Sequence, residues 1–196
     1  MKKLCLFLVL FLSCLVFNNA LARTLTFSDP ELMSLDHYDA DLWGFDVSLD
    51  ADEYILGAKI NIDQMYNWRW EDNDLWITLL NRGPLGVTHL NDPAPGFVNF
   101  FDGFGRELEN YHNLPGPTSP VDLEYVFSAD ELLTLSSFIR DDDLMALGLD
   151  ADCHFYNSGI TFTIETYKNE VPEPATMILF GSGLVGLAGF RRMRKK

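Results

Sequence analysis

The sequence predicts a mainly β chain: a single antiparallel β-sandwich or jelly roll with one short helix. Three observations predict it. Runs of alternating apolar and polar residues recur through residues 23–168. Apolar residues make up 47% of the 196 and aromatics 13%, enough for a core and too rich for a disordered acidic chain. Within 23–168 only the stretch after Ser128 changes to helical spacing.

Taken in order, the first strand is expected at 24–27 and the second at 43–49. Tyr54–Ile62 then places Tyr54, Leu56, Ala58, Ile60 and Ile62 on one face. Strands follow at 75–80 and 85–90. Residues 91–120 hold Pro93, Pro95, Pro115, Pro117 and Pro120 and read as one long loop, a length that marks function or mobility. Val121, Leu123, Tyr125 and Phe127 share the next face. Ser128-Ala-Asp-Glu131 is a capping box, and Leu132, Leu133, Leu135, Phe138 and Ile139 carry a helix to about Arg140. The last strands are expected at 143–149 and 159–167, where Ile160, Phe162 and Ile164 alternate with Thr161, Thr163 and Glu165. One half-solvated face per strand implies antiparallel pairing.

The two ends of the chain read differently. Residues 1–22 combine Lys2 and Lys3, an apolar run and Ala20-x-Ala22, the pattern of a signal peptide cleaved after Ala22. Processing as a lipoprotein at Cys14 is the poorer match. Residues 169–196 hold an uncharged run at about 175–190 followed by Arg191, Arg192, Arg194, Lys195 and Lys196. Sixteen helical residues reach roughly 24 Å, short of a hydrocarbon core of about 30 Å. The flanking arginines can snorkel, and the terminal cations favour the cytoplasmic side. One transmembrane helix is therefore expected, with the N-terminus outside. Ser182 and Gly186 form a small-xxx-small pair, suited to close helix contact or merely to a weakly held anchor.

Val171-Pro172-Glu173-Pro174, the apolar run and the basic end, in that order, resemble the PEP-CTERM sorting signal of bacterial exported proteins. The resemblance implies that Pro172, Glu173 and Pro174 are the mark read by a membrane-embedded exosortase. It implies a protein exported to the cell envelope or beyond, in bacteria that commonly make exopolysaccharide. Two prolines keep this segment extended and end any regular element before it, which suits a processing site. The stretches around Trp43-Gly-Phe-Asp-Val47 and Asp152-Cys-His-Phe-Tyr-Asn157 are also similar to β-rich ectodomains of such proteins.

Charge is segregated along the chain. The total is −15, but residues 23–170 hold seven cations against 28 acids, a formal −21. That charge disfavours nucleic acid and anionic lipid. It serves solubility, or it favours cations and basic partners.

Several side chains are candidates for binding. Asp36, Asp39, Asp41, Asp50 and Asp52, with Asp150 and Asp152 in a second Leu-Asp-Ala-Asp, are hard oxygen donors of the kind calcium uses, or solvated turns. Neither run matches an EF-hand loop. Trp68 and Trp70 lie two apart, as a sugar-stacking pair or as core residues. His37, His89, His112 and His154 lack zinc spacing, and Cys153 beside His154 would point to the opposite face of a strand. With Cys5 and Cys14 in the signal segment, Cys153 is left as a buried filler or an intermolecular link.

No nucleophile elbow, phosphate loop or dinucleotide fingerprint is present. The expectation is a non-enzymatic envelope or matrix protein without a required cofactor. Its partners would be an exosortase-type enzyme, the membrane and an extracellular polysaccharide. A calcium- or carbohydrate-binding module is the alternative, and a secreted hydrolase the third reading.

Overall fold

The computed structural model describes residues 21–93, 96, 98–168 and 182–183. Residues 1–20 of the expected signal peptide, Pro172-Glu173-Pro174, the terminal cations and nearly all of the apolar run lie outside the described residues, whereas Leu21 and Ala22, the last two residues of that peptide, open β1. Among the described residues no helix is long and apolar enough to cross a membrane.

Ala22–Tyr167 is one of the two units into which the chain divides. The elements are β1 (Leu21–Ser28), a 3-10 turn (Pro30–Met33), β2 (Ser34–Leu35), β3 (Asp39–Asp46), β4 (Glu53–Asn67), β5 (Asp74–Leu80) and β6 (Gly86–Asn91). They continue with β7 (Arg106–His112), β8 (Val121–Val126), α1 (Ala129–Asp142), β9 (Leu144–Ala151), β10 (Phe155–Tyr156) and β11 (Gly159–Lys168). The described residues form two antiparallel sheets. One is ordered β1-β11-β4-β10-β2, with β8 also on β4; the other is β6-β3-β9-β5-β7.

The sheets share a core. Phe45 of β3 lies 4.8 Å from the Phe27 ring of β1 and 5.2 Å from Phe162 of β11. Phe127 approaches Phe162 to 5.9 Å. The alternation expected for β11 holds, with Ile160, Phe162 and Ile164 buried. The capping box also holds: Glu131 accepts from the Ser128 amide at 2.7 Å. Asp143, in the left-handed region (φ 61°), ends the helix by donating its amide to the Ile139 carbonyl. Leu135 and Ile139 face the core, whereas Leu133 is exposed.

Four expectations need correction. The long loop contains β7, which pairs with β5. Its bulge between Glu107 and Glu109 leaves Leu108 extra, so Leu108 and Tyr111 both reach the core three residues apart and no period of two is visible. The second strand begins at Asp39 rather than 43, because Asp39 and Asp41 pair with Asn91 and His89 of β6. Tyr54 and Leu56 are exposed, while Ile55 packs on the core and Ala58, Ile60 and Ile62 are buried, so β4 changes phase along its length. It shifts again at Gln64, which takes a φ of 53° where β8 slips register.

Finally, β5 and β9 are buried on both faces, not one. Residues 98–105 cover the outer face of the second sheet. Asn99 donates to Thr78 and Glu107 and accepts from the Phe101 amide, pinning this loop. Phe101 then lies on Gly148 of β9, where a Cβ would come within 2.5 Å of its ring. Residues 98–105 of the long loop are thus a packed cover rather than an open connection.

Candidate functional site

The seven aspartates do not converge. Asp50 and Asp52 sit in the turn before β4, closed by the Glu53 amide donating to the Asp50 carbonyl. The second Leu-Asp-Ala-Asp lies mostly in β9, so the two copies are not equivalent corners. Ala40 pairs with Asp150, which places Asp150 on the outer face of the second sheet and Asp41, opposite Leu149, on the inner face. Asp150 accepts from the Phe100 amide at 2.6 Å, and Asp152 from the Asp74 amide at 2.5 Å. Asp41 meets His89 at 2.5 Å, with Asp39 one position along the same face. Burial pushes the carboxyls of both Asp41 and Asp150 up to about 6; His89 opposes the rise at Asp41 and the Phe100 amide at Asp150. Among the described residues, only Asp36 of the seven joins a group of three potential ligands within 4.8 Å.

That group is Asp36, His37 and His154, and the chain trace explains it. β2 and β10 are two residues each and pair as Phe155↔Leu35 and Tyr156↔Ser34. One step further along this antiparallel register, His154 faces Asp36. The imidazole Nε2 of His154 lies 2.9 Å from Asp36 Oδ2, and the Nδ1 of His37 lies 3.4 Å from Oδ1. The Tyr38 amide donates to the same Oδ1 at 3.2 Å and orients the carboxylate. Tyr38 packs on His37, and Trp68 and Tyr156 flank His154. All three ligand side chains are half-buried.

His37 opens onto a cavity of about 260 Å³, also lined by Trp68, Arg69, Glu71 and Cys153. The expectation that Trp68 and Trp70 are core residues is corrected, since they are 47% and 67% exposed. They have different neighbours. Arg69 stacks on Trp68 at 4.5 Å, whereas Trp70 lies over Gly116. Cys153 packs half-buried against the core, as a filler would, and its free thiol donates to Glu71 at 3.3 Å. Burial first, then the Glu71 and Asp152 carboxylates, push this thiol up to about 12. A thiolate is the reactive form, so Cys153 should alkylate at pH 8 at least about tenfold more slowly than a free cysteine. Replacing Glu71 by Gln should speed the reaction, and timed iodoacetamide labelling with mass spectrometry measures both rates.

His37 and His154 carry no zinc-like spacing because they lie 117 positions apart in sequence. Two-residue strands have no periodicity to read, so their pairing leaves no signal in the sequence.

The described part of the chain is therefore a β-rich domain. Residues 170–195 match the PEP-CTERM protein-sorting motif. The motif marks a membrane-anchored protein that an exosortase-type enzyme processes and that is delivered to the surface. No curated protein matches the chain.

Proposed function

We propose that this chain is a non-enzymatic surface or matrix protein, exported by a cleaved signal peptide and held by one C-terminal helix until processing. In this reading the β domain is a sandwich displayed outside the membrane, and Pro172-Glu173-Pro174 is the handle for its release or transfer. One observation carries the reading: the sorting motif follows directly on the last strand, after a domain of formal charge −21. The terminal cations then lie on the cytoplasmic side and do not neutralise that domain.

The test is in a cell that encodes an exosortase. Pro172→Ala with Pro174→Ala should move the protein from the processed surface fraction to an unprocessed membrane fraction of higher apparent mass. An unchanged distribution and mass would sink the reading.

Carbohydrate binding is the second reading, favoured by the exposure of Trp68, which lines the cavity, and of Trp70, which lies over Gly116. Retention on extracellular polysaccharide that is lost in Trp70→Ala would support it. No retention at millimolar ligand would count against it.

A further inference from the structure

We propose that Asp36, His37 and His154 form a binding site for a divalent transition metal, with zinc as the best fit. The inference is independent of the sorting reading. It begins with donor type. Two imidazole nitrogens and one carboxylate oxygen are borderline ligands that suit zinc, nickel or copper, whereas calcium selects six to eight oxygens. This is a different metal class from the one the spaced aspartates suggest.

Distances come next. Zinc–nitrogen and zinc–oxygen bonds of about 2.0–2.2 Å put tetrahedral donors about 3.3 Å apart. Here Asp36 Oδ2 lies 2.9 Å from His154 and Oδ1 lies 3.4 Å from His37, and all three donor atoms lie within 4.8 Å of one another. Small rotations about the histidine side chains bring them into a common shell. The ion would take the place of the direct contact between Asp36 and His154.

The surroundings also fit. The Tyr38 amide already orients the carboxylate, as an outer-shell donor does in metal sites. Backbone pairing holds both sides of the site: β2 with β10, and the Trp68 amide donating to the His154 carbonyl at 3.0 Å. The cavity beside His37 leaves room for water or an external ligand in the remaining coordination positions. Cys153 follows a different course, because its thiol is held by Glu71.

The purified full-length protein, stripped with chelator, would be titrated calorimetrically with zinc chloride and separately with calcium chloride. One zinc equivalent should bind, with calcium at least about tenfold weaker. His37→Gln and His154→Gln should each weaken zinc at least about tenfold, while Cys153→Ser and His89→Gln leave it unchanged. Failure of zinc to bind, or equal affinity in both His variants and the parent, overturns the proposal. Loss of binding in Cys153→Ser or His89→Gln as large as in the His variants does the same. If a His variant fails to fold by circular dichroism, the parent loaded with one equivalent of copper(II) decides the matter. Its electron paramagnetic resonance should show two coordinating nitrogens, and none or one overturns the site.

Discussion

Replacing Phe162 by alanine should destabilise the folded domain by about 3–5 kcal/mol, the range for deleting a fully buried phenylalanine. Phe162 is 0% exposed and its ring meets Phe27, Phe45 and Phe127, so it contacts both sheets. Those neighbours are rings in sheet backbones and in the connection to α1, and they cannot collapse far into the space left. At about 2–4 °C per kcal/mol the melting temperature should fall by roughly 10 °C. Leu133→Ala on the exposed side of α1 is the internal control and should stay within about 0.5 kcal/mol. Comparable denaturant midpoints for the two variants would show that the shared core does not run through Phe162.

The second large effect is a pH dependence. Asp150 is 2% exposed on the outer face of the second sheet, with Asp92 and Asp152 adding to its repulsion and the Phe100 amide opposing it. Burial raises its folded pKa from 3.8 to about 6. Between these values the folded state holds a proton that the unfolded state has released. Stability from this group is therefore complete below about 3.8 and lost as pH rises through about 6. Asp41 behaves alike over the same window. Its partner His89, raised chiefly by the hydrogen bond to Asp41, extends the decline above 6.5. The domain should be more stable near pH 5 than at pH 7.5. Asp150→Asn keeps an acceptor for the Phe100 amide and carries no charge. It should stabilise the protein by about 1–3 kcal/mol at pH 7.5 and have little effect at pH 4. An equal change in melting temperature at both pH values would mean that the carboxyl is not the titrating group.

How much of this was legible in advance depended on where the physical signal lay. The strand β11 and the helix α1 are written in local patterns. Alternation buries Ile160, Phe162 and Ile164, and the Ser128–Glu131 box needs only residues three apart. β7 was hidden because a bulge resets its phase at Leu108, and its polar residues resemble loop. The covered outer faces of β5 and β9 were hidden too, since burial there depends on Phe101 arriving from a distant segment. For the same reason Trp68 and Trp70 could not be told from core residues by spacing alone.

By itself the sequence determined that the chain is β-rich and acidic, and that it carries a sorting motif at residues 170–195. These are properties of composition, short period and linear order, and no long-range contact is needed to express them. Only the tertiary structure decided which side chains meet. Pairing of β2 with β10 brings His154 to Asp36 and His37, while the register of β3 against β9 sends Asp41 and Asp150 to opposite faces. In an antiparallel pair a shift of one residue reverses every side chain, so register chooses among donors that linear spacing cannot rank.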